Sequence, residues 1–112
     1  MTTQSLELNV AAEFTRTPGP RKRSEGEYSG EEFLSLLLRP RFIAALEAGV
    51  SLRVNLDCAA GYPTSFLEEA FGGLAREFGS EKVAANIELS CDDEPYLVED
   101  IKKFIREAKT TR

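Results

Sequence analysis

The sequence predicts an α/β fold: a two-layer sandwich of about four strands in a mixed sheet, with helices on one face and an antiparallel leading strand. Three observations carry this. Helical and strand-like patterns alternate after Gly30, which implies parallel neighbours joined by crossover helices. All three clear strand patterns carry Glu, Asn, Arg or Ser on alternate positions, whereas strands covered on both faces are continuously apolar. At 112 residues and 42% hydrophobic content, the chain is expected to form a single domain, residues 1–112, with one modest core.

The first element is a strand in which Leu6, Leu8, Val10, Ala12 and Phe14 occupy every second position. The Gly-, Pro- and Ser-rich stretch from Thr15 to Ser29 reads as a long turn, with a short return strand near Arg21 to Arg23. Ser29-Gly30-Glu31-Glu32 forms a capping box that opens a helix with Phe33, Leu34, Leu37 and Leu38 on its inner face. Pro40 is expected to break that helix and open a second piece, with Ile43 and Leu46 inward, until Gly49 stops it.

The central block is the most informative. Leu52, Val54 and Leu56 alternate with Arg53 and Asn55, so this strand has one apolar side and ends in Asp57. Gly61 and Pro63 interrupt the pattern. Ser65-Phe66-Leu67-Glu68 then reads as a second capping box, and Leu67, Ala70, Phe71, Leu74 and Phe78 form a helical stripe closed by Gly79. Ala85, Ile87, Leu89 and Cys91 give a further strand. Asp92, Asp93, Glu94 and Pro95 suit the positive end of a last helix, whose inner stripe is Leu97, Ile101, Phe104, Ile105 and Ala108.

Composition excludes several functions. A formal charge of -5 disfavours a nucleic-acid-binding surface, since phosphate binding needs cations gathered on one face. The basic cluster of Arg16, Arg21, Lys22 and Arg23 reads as a solvated loop or a contact for an anion or partner. No apolar run of about 18 residues and no signal-like start are present, so the chain is expected in the cytoplasm, off the membrane. With no histidine, His-dependent triads and the common zinc sites are ruled out. No cofactor and no metal is expected.

Asn55-Leu56-Asp57, followed by Gly61-Tyr62-Pro63-Thr64-Ser65-Phe66-Leu67-Glu68-Glu69-Ala70-Phe71-Gly72-Gly73-Leu74, resembles the signature of the STAS-like domains of unknown function. Ser29-Gly30-Glu31-Glu32-Phe33 and Leu38-Arg39-Pro40 extend the likeness, which covers most of the chain from about Arg23 onward. More remotely the chain is similar to the anti-sigma-factor antagonists, where a strand ending in Asp leads to a phosphorylatable serine at a helix start. That parallel puts Ser65, with Thr64 beside it, at the switch position. The antagonists set an acidic residue before one or two serines and then a glycine, whereas this chain has Pro63-Thr64-Ser65-Phe66. Ser65 thus has two readings, a helix cap and a regulated hydroxyl.

The resemblance implies a non-enzymatic, regulatory interaction module that docks a protein partner, of the ATP-binding kinase-like or anti-sigma type, through the edge from Asp57 to Arg76. Thr64 and Ser65 would shape or switch the contact, and Tyr62 and Phe66 would supply apolar anchors. Glu68, Glu69 and Arg76 would give charge complementarity. Helical spacing puts Gly72 on the face of Ser65, Glu68, Glu69 and Arg76, where an outward glycine admits another backbone. Gly73 reads as a site of close internal packing.

The rival reading is a small hydrolase or metal-assisted enzyme using Asp57, Cys58, Asp92 and Asp93 at the strand ends, where open α/β sheets place ligands. Cys58 and Cys91 are expected near one another as inert thiols. Self-association through the exposed edge of the leading strand, or through the wet sheet face, is a third option.

Overall fold

The strands β1 (Ser5–Asn9), β2 (Ser51–Asn55) and β3 (Ile87–Ser90) form one parallel sheet in the order β1-β2-β3 in the computed structural model, which describes residues 5–108. Leu6, Leu52 and Ile87 lie in line across it, as do Leu8, Val54 and Leu89, making one apolar face. The other face carries the row Glu7, Arg53, Glu88. All three are exposed, and Arg53 bridges the two carboxylates at 3.6 and 3.3 Å. Exposed pairs of this kind contribute little to stability, so the row mainly keeps the back of the sheet wet.

The sheet is smaller and simpler than the sequence suggests. The leading strand runs parallel to β2 rather than antiparallel, because a long helix carries the chain back across the sheet before β2 begins. It also stops early. The Asn9 side chain accepts the Ala12 amide at 3.0 Å and turns the chain into the short helix α1 (Val10–Glu13), so Val10, Ala12 and Phe14 leave the strand. No return strand forms at Arg21 to Arg23; a 3-10 turn (Arg23–Glu25) stands there. The carbonyls of Pro20 and Arg21 instead accept the amides of Gly30 and Glu31 at 2.8 and 3.0 Å, satisfying the start of the next helix.

That helix, α2 (residues 30–48), is continuous: α-helical Gly30–Phe33, a π segment Leu34–Leu38, then α-helical Arg39–Ala48. Ser29 caps it by accepting the Glu32 amide at 3.0 Å. Pro40 therefore does not break the helix. The wider π turn lies immediately before the proline, where it accommodates the ring and the missing donor. It also rotates the later turns, so Phe42 and Ala45 are buried, Leu46 is half-buried and Ile43 is 36% exposed rather than inward. Gly49 ends the helix with φ +72°.

The helix after β2, α3 (residues 64–78), is likewise α-helical Thr64–Leu67, a π segment Glu68–Gly72 and α-helical Gly73–Phe78. Gly79 closes it at φ +101°, and an unexpected helix, α4 (Ser80–Asn86), follows and buries Val83. β3 consequently begins at Ile87 rather than Ala85. The final helix, α5 (Tyr96–Glu107), buries Leu97, Ile101 and Ile105.

The core lies between the apolar sheet face and the helices, with Phe33, Leu38, Phe42, Phe71, Leu74 and Ile101 fully buried in it. Helices α2 and α3 approach closely at two glycines. A Cβ on Gly30 would stand 2.6 Å from the Phe66 carbonyl oxygen, and one on Gly73 would stand 2.8 Å from Leu34 Cδ2. Among the described residues, no helix is long and apolar enough to cross a membrane.

Candidate functional site

The loops at the carboxyl ends of the strands form one rim, because each is tied to another. Leu56 donates its amide to the Ser90 carbonyl at 2.9 Å, holding the exits of β2 and β3 side by side. Asn55 accepts the Asp57 amide at 2.8 Å and turns the chain, after which Cys58 takes a left-handed conformation at φ +74°. The Asp57 carboxylate accepts the Asp93 amide at 2.8 Å, and the Asp93 carboxylate accepts the Cys58 amide at 3.1 Å. Amides of Asp93 and Asp92 aimed at Asp57 hold its carboxyl below the usual range. A third tie joins the loop after α1, where Arg16 O accepts the Ala60 amide at 2.7 Å.

Tyr62 folds back over this loop. Its hydroxyl donates to the Leu56 carbonyl at 2.9 Å, and burial pushes its pKa well above the ordinary value. The ring packs against Phe66 with centroids 6.0 Å apart. Phe66 is itself 0% exposed and stacks on Phe33 at 5.7 Å, so it is a core residue and offers no anchor to a partner in this state. Cys58 is exposed, while Cys91 is buried, its thiol pushed up chiefly by that burial.

The start of α3 differs from the expected capping box. Pro63 is the cap residue, Thr64 is the first helical residue, and no side chain caps the amides. Proline fixes the approach angle, and its carbonyl already accepts the Leu67 amide at 3.2 Å, so the helix begins two residues early and Ser65 falls inside the first turn. Thr64 is exposed and Ser65 half-buried.

The charged residues predicted to face a partner are engaged internally. Glu68 pairs with Arg76 at 2.8 Å and with Arg21; Glu69 pairs with Lys22 at 3.1 Å and with Arg21 at 3.4 Å. Burial alone would raise the Glu68 pKa, but the Arg76 and Arg21 guanidiniums outweigh it and hold the carboxyl low. Two members of the basic cluster thus clasp α3. Arg23 instead binds Ser35 Oγ at 2.7 Å through its guanidinium, and its amide binds Glu31 at 2.9 Å. Gly72 does share a face with Glu68 and Arg76, as spacing requires. It is nevertheless buried beneath their ion pair: an added Cβ would lie 2.9 Å from Glu68 Oε2 and 3.3 Å from an Arg76 nitrogen.

The rival catalytic set is brought only partly together. Asp57 and Asp93 meet, yet the bonds that join their loops are to backbone amides, the side chain set against Asp57 is the Cys91 thiol rather than Cys58, and Asp92 stands exposed. Among the described residues, no group of three or more His, Cys, Asp or Glu is placed to hold a metal ion. The reciprocal loop strap and the Arg21 and Lys22 clasp escape sequence reading, because each joins residues at least 35 positions apart. The one available signal was the run of opposite charges in the two segments.

Residues 30–97, more than half of the chain, match the family described as STAS-like domain of unknown function. The chain belongs to that family. Comparisons with curated proteins and with solved structures find no match. The family span holds β2, β3 and every residue of the stretch from Asp57 to Arg76. It leaves out β1 and the clasp residues Arg21 and Lys22, so the part of the STAS-like domain that grips α3 is contributed from outside the matched region.

Proposed function

We propose that this STAS-like domain is a non-enzymatic cytoplasmic regulatory module that docks a protein partner, of the ATP-binding kinase-like or anti-sigma type, through the tip formed by residues 57–65. The observation that carries the reading is exposed Thr64 on the first turn of α3, beside a loop braced through both Asp57 and Ala60. A braced tip loses little conformational freedom on binding, which favours recognition. The docking surface narrows to exposed Cys58, Ala60, Pro63 and Thr64, with half-exposed Asp57, Tyr62 and Ser65 alongside. Glu68, Glu69 and Arg76 act on it indirectly, through the clasp.

In this reading a phosphate on Thr64 or Ser65 modulates docking by adding negative charge at the helix start. The carboxylates one turn away are already paired with Arg21, Lys22 and Arg76, which moderates their repulsion of that charge. Affinity purification with phosphosite mapping tests the proposal directly. A partner should be recovered by the native chain, lost on Thr64→Arg, and retained by Glu88→Lys on the distant sheet face. Equal recovery by native and Thr64→Arg proteins sinks the docking surface, and ester or phosphate hydrolysis abolished by Cys58→Ala sinks the non-enzymatic part.

A further inference from the structure

Cys58 occupies a backbone position that suits another residue type. It stands at φ +74° in the turn after β2, a left-handed conformation that glycine or asparagine adopts more readily. The facing loop holds it there, because its amide donates to the Asp93 carboxylate at 3.1 Å. An unfavourable conformation kept by specific bonds implies a use for the side chain it presents. That side chain is an exposed thiol.

The second thiol lies in the facing loop. Asn55 and Ser90 are register partners, and the Leu56 amide donates to the Ser90 carbonyl at 2.9 Å, so Cys91 comes next across from Leu56. Neighbouring strands run about 4.8 Å apart. Beyond Leu56 the chain does not run straight on: Asn55 Oδ1 accepts the Asp57 amide at 2.8 Å, and the Asp93 tether draws Cys58 to the β3 side. Both cysteines therefore stand at one rim, and a disulfide joins residues whose Cα atoms lie within roughly 7 Å. The Tyr62 hydroxyl sits among the same groups. After burial, the charges of Cys91, Asp57 and Cys58 are what raise its pKa.

The two thiols differ in the way that a stepwise reaction requires. Cys58 is open to a reagent, whereas Cys91 is buried. Burial first, with the Asp57 and Asp93 charges behind it, keeps the proton on the Cys91 sulfur, so Cys91 does not react first.

We propose that Cys58 and Cys91 form a reversible disulfide, with an external small-molecule disulfide as oxidant, that locks the loops after β2 and β3 together. The Cys58 thiolate attacks one sulfur of the external disulfide, whose S–S bond breaks and releases a thiolate. Cys91 then attacks the Cys58 sulfur of the mixed disulfide, the internal S–S bond forms, and the second thiolate leaves. Each departing thiolate takes up one of the two protons that the cysteines give up. The cysteine pair is oxidised by two electrons and the external disulfide is reduced to two thiols. Disulfides of this kind in intracellular proteins are characteristically transient and redox-sensing. Only the consequence for a partner rests on the docking reading, since Cys58 lies on the surface given to that partner; the bond itself does not.

The folded, full-length chain, equilibrated in buffers of reduced and oxidised glutathione and quenched with an alkylating reagent, tests the proposal by intact mass and peptide mapping. The native chain should lose two hydrogens as a single copy, with the Cys58 and Cys91 peptides joined. Cys91→Ser should stop at a glutathione adduct on Cys58, accumulating it at least about tenfold above the native chain, because the nearby second thiol is gone. Cys58→Ser, at an exposed position, should show neither the internal bond nor the adduct. A native chain that ends as the adduct, keeps both thiols free across the whole range, or joins Cys58 only to a second copy overturns the proposal. So does an internal bond that forms only when the chain is unfolded in urea.

Discussion

Asp57 and Asp93 hold each other's loops: the Asp57 carboxylate accepts the Asp93 amide at 2.8 Å, and the Asp93 carboxylate accepts the Cys58 amide at 3.1 Å. The exits of β2 and β3 therefore behave as one rim. Asp57→Ala should leave the sheet intact and loosen only this rim. Hydrogen exchange at the Cys58 and Asp93 amides should accelerate while that at Val54 stays slow; unchanged exchange at both loop amides would show that the strap does not hold them.

Acid should loosen the clasp on α3. Glu68 titrates below its ordinary value of 4.5 in the folded chain, since Arg76 and Arg21 outweigh the opposing effect of burial. The stability this contributes is complete above the ordinary value and is lost as pH falls through the lower folded value. Glu13, hydrogen-bonded to Arg41, adds in the same direction. Thermal unfolding followed from pH 7 downward should show a falling midpoint below about pH 4.5, and Glu68→Gln should flatten that fall. A Glu68→Gln protein with the native pH profile would contradict the assignment.

The glycines should separate by what a methyl group meets. Gly30→Ala drives a Cβ against the Phe66 backbone carbonyl, which cannot move aside, and should destabilise by about 1–3 kcal/mol. Gly72→Ala meets only the movable ends of Glu68 and Arg76. It also gains about 0.8–1 kcal/mol of helix propensity, so it should be neutral or stabilising. Urea denaturation of both variants checks the contrast, and equal losses would place Gly72 under a rigid roof.

Phe66 and Thr64 are two residues apart and should respond oppositely to truncation. Phe66→Ala removes a fully buried ring from the aromatic cluster and should cost about 3–5 kcal/mol. Thr64→Ala changes an exposed side chain with no capping bond and should stay within about 0.5 kcal/mol. Denaturant midpoints decide this. A stable Phe66→Ala protein would return that ring to the surface.

Much of this architecture is written locally. The alternation of Leu52, Val54 and Leu56 fixes which side of β2 is wet, the spacing of Leu67, Ala70, Phe71 and Leu74 fixes the buried stripe of α3, and Gly49 and Gly79 mark helix ends. These features depend on neighbours within one or two turns, so the sequence alone determines them. The direction of β1, the engagement of Glu68 by Arg21 and the burial of Phe66 beneath the tip depend on segments tens of residues apart. Only the crossing of α2 over the sheet brings those segments together. Side-chain periodicity says which face of an element is apolar, but it says nothing of which distant charge or ring will cover the other.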